Sequence, residues 1–394
     1  MTATGSLQPS QATSTPASDA AHCFPGGQLT GLDVTFVVGT LGQGGAERQL
    51  FYVARALVSS GARVRVLTLA RGEFWEPRLR DAGAAVVWVG KATSRLARLV
   101  AVYRDLRAHR PHVVHSFHFY TNLYAGLAGR VAGVPDIGAI RSNGASDIAS
   151  VGGVLARLCL RLPRTLVANS ASAIRYLEAA GVPPSRLRLL ANVIDTDQFA
   201  DVAPHAPGGV FALAAIGRLG PEKRFDRMLR IVAALKRAVP RAVHLTIAGG
   251  GPLRADLEGL VDALDLGADV TFTGPVADVR PILASAHCLL LTSDWEGTPN
   301  VILEAMALGR AVVATDVGGV TALVENGRTG FVCAPADESA LVGALSDFAR
   351  DDALSARFGR EGRVVVDQRY SLRSLPDSLA SLYSSALRRP WGHV

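Results

Sequence analysis

Ser293-Asp-Trp-Glu-Gly-Thr-Pro-Asn-Val-Ile-Leu-Glu304 is the stretch on which the fold is decided. An apolar run at 287–292 precedes it and reads as a strand. Ala311-Val-Val-Ala-Thr315 follows and reads as the next strand. Between them the pattern predicts a helix over 299–308. Thr298 suits the N-cap, Pro299 the first helical position and Gly309 the end. A strand, a helix and a strand at this spacing form one unit of a parallel α/β sheet. The helix start would leave the backbone N–H groups of Gly297, Thr298, Asn300 and Val301 facing outward. Together with the helix dipole they make an anion site. Glu296 lies just before the helix and Glu304 about one and a half turns inside it. Carboxylates only accept hydrogen bonds, so the two suit sugar and ribose hydroxyls on one ligand whose phosphates sit at the helix end. The competing reading is an ordinary capped helix with surface glutamates.

Other loops after strands carry similar signals. Gly217-Arg-Leu-Gly-Pro-Glu-Lys-Arg224 presents Arg218 and Lys223, a fork and a point charge suited to a diphosphate. Gly249-Gly-Gly-Pro252 either admits a ligand to the backbone at Gly250 or makes a tight turn. Gly39-Thr-Leu-Gly-Gln-Gly-Gly-Ala-Glu-Arg48 follows the first strand, and Gly44 and Gly45 allow close approach. Its spacing misses the dinucleotide fingerprint, because Glu47 stands where the third glycine belongs. His112-Val-Val-His-Ser-Phe-His-Phe-Tyr120 places His115 at a strand end and His118 in the loop beyond. Neither has a metal partner at ligand spacing, so a hydrogen-bonding role in a cleft competes with plain packing.

Working outward, the same alternation runs through the chain. In the first half strands read near 33–39, 63–69, 85–89, 112–116, 136–140, 165–169 and 187–190, with helices near 46–59, 95–109, 120–132, 152–161 and 171–180. A stretch with two Pro and two Gly at 200–209 reads as a linker, after which the pattern restarts. Strands then read near 210–217, 243–248, 269–273, 287–292, 311–315 and 329–332. Helices read near 222–238, 252–265, 277–285, 299–308, 337–350, 353–367 and 374–388. The fold class is α/β, with two doubly wound domains facing a cleft at 31–205 and 206–372. A disordered tail is expected at 1–30.

The 394 residues suit two domains, and 49% hydrophobic residues exclude a disordered or fibrous chain. Four dispersed Cys without a C-x-x-C exclude a zinc ribbon and a dithiol redox site. The tail has no apolar core of a secretory signal, so a cytoplasmic location is expected. The net charge of +7 is uneven: residues 31–200 carry +10. This either favours anionic partners or reflects Arg-rich composition. The helix with Arg95, Arg98, Arg104, Arg107 and Arg110 is either an anionic-membrane face or a solvated face over a packed one. Aromatic residues are 6% and not interleaved with Arg, which argues against a nucleic-acid-binding protein.

Arg218…Lys223, Gly249-Gly-Gly-Pro252, Glu296-x7-Glu304 and Glu304-Ala-Met-Ala-Leu-Gly309 together resemble retaining glycosyltransferases of family 4, which have the GT-B fold. Gly44-Gly-Ala-Glu47, Ala168-Asn-Ser170, Asn192-Val-Ile-Asp-Thr-Asp-Gln-Phe199 and Ala311-Val-Val-Ala-Thr-Asp-Val-Gly-Gly319 extend the resemblance over roughly 31–390. It implies that the second domain binds a UDP- or GDP-sugar and the first binds a saccharide or lipid-linked hydroxyl acceptor. No cofactor, metal or nucleic acid is implied beyond that co-substrate. Arg218 and Lys223 would hold the diphosphate, Glu296 the transferred sugar, and Glu304 the ribose. Val276 would border the base, and Gly44 and Gly45 the phosphates and acceptor. The family's strand-end histidine is placed on His115, with His118 as the alternative. Residues 373–394 would return to the first domain. Val193 departs from the family, where many members have Gly. Peripheral contact with an anionic membrane at its inner face remains one reading of the basic half. A phosphorylase or sugar-nucleotide epimerase of the same fold is the competing enzyme class.

Overall fold

The computed structural model describes residues 29–90, 94–142, 144–199 and 209–387. The tail before Leu29 and most of the linker, 200–208, lie outside the described residues.

The first sheet contains β1 (Asp33–Val38), β2 (Arg63–Thr68), β3 (Ala85–Trp88), β4 (Val113–Ser116), β5 (Asp136–Ile140), β6 (Thr165–Ala168) and β7 (Leu187–Leu189). The second contains β8 (Phe211–Ile216), β9 (Val243–Ala248), β10 (Val270–Gly274), β11 (Cys288–Leu291), β12 (Ala311–Thr315) and β13 (Gly330–Cys333). Spatial orders are β3-β2-β1-β4-β5-β6-β7 and β10-β9-β8-β11-β12-β13. Pairing is parallel throughout both sheets. Strands covered by helices on both faces read as unbroken apolar runs, and Cys288-Leu-Leu-Leu291 is buried at every position. Each sheet changes its winding direction next to its first strand, between β1 and β4 and between β8 and β11. Ligands of such sheets bind beyond the strand ends at that point. The loops Gly39–Gly44, 117–118, 217–223 and 292–299 therefore converge on one cleft.

Several element boundaries differ from the sequence reading. The helix expected over 222–238 is a 3-10 turn, Pro221–Lys223, then Arg224 at φ 51°, then Phe225–Ala238. Pro221 starts the turn and the left-handed Arg224 breaks it, which leaves Lys223 in the loop. Three short helices, Glu76–Asp81, Ala145–Val151 and Val320–Leu323, were not anticipated. Two turns or fewer give no readable period.

The last helix, Leu375–Leu387, packs on the first domain. Its Leu375, Leu379, Leu382 and Tyr383 join one core with Val34, Leu50 and Leu57. Each such fully buried aliphatic side chain contributes about 1.5–3 kcal/mol.

Candidate active site in the interdomain cleft

The second-domain side of the cleft is built around Glu296, which is 7% exposed. Lys223 Nζ donates to its Oε1 at 2.6 Å, and Ser293 Oγ donates to the same oxygen at 2.6 Å. The turn is braced from beneath. Thr315 Oγ1 donates to the Ser293 carbonyl at 2.7 Å, and Gly319 N–H donates to the Gly297 carbonyl at 2.8 Å. A Cβ on Gly318, at φ +58°, would stand 1.9 Å from the Glu296 carbonyl oxygen, so glycine is required there. Asp294 is gripped by Arg224 at 2.9 Å and Arg227 at 2.8 Å.

Arg218 lies at the rim with a 66% exposed side chain, paired with Glu222 at 2.8 Å. Burial works most strongly to raise the Glu222 carboxyl, but the Arg218 hydrogen bond, a backbone N–H and the Arg218 and Lys223 charges together hold the group below the usual range. The glycine run at 249–251 serves a close approach of two loops. A Cβ on Gly249 would lie 1.8 Å from the Gly217 carbonyl oxygen, and one on Gly251 2.5 Å from that of Leu219. Between them the Gly250 carbonyl accepts from Leu219 N–H at 2.9 Å.

The helix runs Asn300–Ala307, and its N-cap is Pro299, which offers no side-chain hydrogen bond. This corrects the expectation that Thr298 caps it and that Pro299 is the first helical residue. The Thr298 hydroxyl instead donates across the cleft to the Asn169 carbonyl at 2.8 Å. N–H groups of the first helical turn have no acceptor within the helix, so the anion-site geometry at Gly297–Val301 does not depend on that cap. The Val301 side chain is buried in the second-domain core, leaving only its backbone for a ligand. Gly309 follows the last turn at φ +67°.

The first domain reaches this helix at several points. Arg48 Nη1 donates to Glu304, which is 3% exposed. Asn300 Oδ1 accepts from Gln49 at 3.2 Å and from Asn192 at 2.8 Å. Asn300 Nδ2 donates to the Gly45 carbonyl at 3.2 Å, and a Cβ on Gly45 would lie 2.8 Å from that nitrogen. Gly44 is the N-cap of the helix Gly45–Ser59. Val276, in the loop after β10, accepts on its carbonyl from Gln43 Nε2 at 3.2 Å. Burial is the strongest influence on Arg48 and opposes its charge, but Glu304 and Tyr52 together override it and raise the guanidinium pKa.

The histidines divide differently from expectation. His115 lies inside β4 with no exposed surface, and its Nδ1 pairs with the Tyr383 hydroxyl at 3.0 Å. Burial, helped by Arg141, pushes its pKa down to about 3, so the ring is neutral. His115 therefore belongs to the packing under the last helix and does not face the cleft. His118, beyond the strand end, accepts from Gly39 N–H on Nδ1 at 3.1 Å, so its Nε2 carries the proton. That nitrogen donates to Glu47 Oε1 at 3.2 Å.

Arg48 and Gln49 were not singled out from sequence, and Asn169 and Asn192 entered only within motifs that carry the resemblance, with no site role. For Arg48 and Gln49 the signal was available: polar residues fill the first turn of a helix that otherwise buries Leu50, Tyr52, Val53 and Leu57.

Residues 43–198 match the family model described as Glycosyltransferase Family 4, and residues 211–351 match that of Glycosyl transferases group 1. The chain belongs to glycosyltransferase family 4. Among relatives of this family 4 member, the alpha-D-kanosaminyltransferase of Streptomyces kanamyceticus is 31% identical over 216 residues, 52% of this chain and 55% of that protein. The chain thus spans about half the length of that relative. The glycogen synthase of Mycobacterium tuberculosis is 27% identical over 336 residues, 82% of this chain and 81% of that one. The structure of Anabaena HepE with UDP superposes with a TM-score of 0.77 at 21% identity, covering 90% of this chain and 100% of that chain. That likeness shows the shared fold, GT-B.

Proposed function

We propose that this chain is a retaining glycosyltransferase that moves a sugar from a UDP- or GDP-sugar to a hydroxyl of a saccharide or lipid-linked acceptor. The observation that carries the proposal is the Lys223–Glu296 pair at 2.6 Å, held at the start of the helix Asn300–Ala307. It puts a cation, a sugar-binding carboxylate and unpaired backbone donors within one turn. The UDP named with the HepE structure supports the same reading.

In this mechanism charge develops on the departing diphosphate. Lys223, Arg218 and the N–H groups from Gly297 to Val301 stabilise it. Glu296 orients the sugar hydroxyls and Glu304 the ribose. His118, rather than His115, is the histidine at the cleft, and it reaches the sugar by exchanging its Glu47 partner. The acceptor oxygen attacks the anomeric carbon from the face that the diphosphate leaves, and the hydroxyl proton passes to the departing phosphate oxygen. The bond to the phosphate breaks as the new glycosidic bond forms. Closure of the cleft excludes water, which would otherwise hydrolyse the donor. No metal ion is assigned a step; full activity in EDTA supports this, and a requirement for added magnesium or manganese overturns it.

Thermal-shift binding against nucleoside diphosphates and their sugars is the first test, since a ligand of the folded state raises apparent stability. Stabilisation by UDP or GDP that Glu304→Ala abolishes supports the donor site and identifies the base. No shift with any diphosphate in a folded sample overturns it. Release of free nucleotide and an altered sugar without an acceptor would favour the epimerase. The anomeric configuration of the product, read by NMR, decides retention.

Among the described residues no helix is long and apolar enough to cross a membrane. The helix Arg95–His109 instead exposes Leu96 and Val100 beside Arg95, Arg104 and Arg107. This face supports peripheral contact with an anionic bilayer at its cytoplasmic side. Sedimentation with phosphatidylglycerol vesicles but not phosphatidylcholine vesicles, lost in Arg104→Glu/Arg107→Glu, tests it; equal sedimentation of the variant removes it.

A further inference from the structure

Two acceptor groups assigned to the nucleoside half of the donor are engaged by side chains of the first domain. Arg48 donates to Glu304, the proposed ribose carboxylate. Gln43 donates through Nε2 to the Val276 carbonyl at 3.2 Å, beside the proposed base. Both side chains come from one short stretch, 43–48, at the end of the glycine-rich loop and the first turn of the helix Gly45–Ser59.

The hydrogen-bonding polarity at both points is the same as a nucleoside's. A carboxylate and a carbonyl can only accept. A ribose hydroxyl or a base N–H donates to them in the way a guanidinium or an amide does. Glu304 is 3% exposed, and its partner reaches it from across the cleft. A ribose seeking the same carboxylate must share it with Arg48 or move Arg48 aside. The Lys223–Glu296 pair has no such overlap. Lys223 and Ser293, the groups on Glu296, both belong to the second domain. Gln49 secures the stretch from behind: its Nε2 donates to the Val193 carbonyl at 2.8 Å and to Asn300 at 3.2 Å.

We propose that Arg48 and Gln43 compete with the nucleoside for Glu304 and Val276, so that they set the affinity and ribose selectivity of the donor site. This rests on the reading above that Glu304 takes the ribose hydroxyls. Competition for one carboxylate links the interdomain contact to nucleotide loading in both directions. The donor then loads while the stretch 43–48 is withdrawn. The diphosphate can meet Lys223 first, because the groups on Glu296 come from the second domain alone.

The test is calorimetric titration of the full chain with UDP, 2′-deoxy-UDP, GDP, 2′-deoxy-GDP and inorganic pyrophosphate. Arg48→Ala is expected to bind the preferred ribonucleotide about fivefold tighter, in the lower range of site-to-site coupling. Its gain for the 2′-deoxy form is expected to be smaller, so the ribo-to-deoxy ratio widens. Arg48→Lys should fall between wild type and Arg48→Ala. Gln43→Ala, which touches only the base side, should tighten ribo and deoxy forms alike. Pyrophosphate affinity should not change in any of them. Melting curves establish that each variant is folded, and Gln43→Ala carries the test if Arg48→Ala is not. Unchanged or weaker ribonucleotide binding by the folded Arg48 and Gln43 variants overturns the competition. Glu304→Ala separates the two layers. If it keeps full ribonucleotide affinity, the ribose role of Glu304 falls and the competition with it. If it loses affinity while Arg48→Ala gains none, the competition alone falls.

Discussion

Glu296 and Glu304 lie on the same turn-and-helix unit, and both are buried, yet they are held by opposite halves of the molecule. Glu296 takes Lys223 and Ser293 from its own domain. Glu304 takes Arg48 from the other. The surroundings of Glu296 therefore persist whatever the cleft does, and those of Glu304 exist only when the domains meet. One end of the proposed donor site is preorganised in the sense that matters for charge stabilisation. The other is occupied from the first domain when the cleft closes.

The largest expected effect tests the preorganised end. Lys223→Ala should lower turnover at saturating donor by about 10²–10³, the loss typical of one charge-stabilising donor. Nucleotide release assays read this directly. Arg218→Ala should cost less, because its side chain is 66% exposed and already paired with Glu222. Equal losses would break the distinction between a buried cation and a rim cation.

Glu304→Ala should weaken nucleotide binding on the order of tenfold, as expected for hydrogen bonds to a charged group. Turnover at saturation should change far less. A variant that binds normally but turns over slowly would move Glu304 to the chemical end and erase the contrast.

His115 supplies a control outside the cleft. Its pKa falls from 6.5 to about 3 on folding, so the unfolded chain takes up a proton in that window that the folded chain refuses. Its contribution to stability is complete above pH 6.5 and is lost progressively as pH falls towards 3. Melting temperature should therefore drop more steeply between pH 6.5 and 3 in the wild type than in His115→Gln. Identical slopes would show that His115 is not held neutral.

The smallest effect is expected at Thr298→Val, which removes one cross-cleft hydrogen bond worth about 1 kcal/mol. Faster hydrogen exchange in the first turn of Asn300–Ala307, with an unchanged Lys223–Glu296 end, would sharpen the comparison. No change would mean the cleft is held elsewhere.

The fold was legible because parallel strands buried on both faces must be apolar throughout, as in Cys288–Leu291 and Ala311–Thr315. The second-domain loops were legible because their glycines and charges follow strands directly. What stayed hidden came from contacts far apart in sequence. Nothing local in Thr298 says that its hydroxyl crosses to Asn169, or that Arg48 crosses to Glu304. The choice between His115 and His118 depended on where β4 ends. A shift of one residue in a strand turns a side chain to the other face, and that shift is smaller than the accuracy of the sequence pattern.

The position of the last helix bears on how this protein is made. Leu375–Leu387 belongs to the core of the first domain, although everything from Phe211 to Arg369 separates it from the rest of that core. During synthesis the amino-terminal half leaves the ribosome with an apolar surface that cannot be covered until the whole second half has followed. At 5–20 residues per second, an exposure of roughly ten to forty seconds precedes completion. Cutting the gene at the linker would not yield two independent domains, and a usable first domain would have to carry the terminal helix grafted onto its own end.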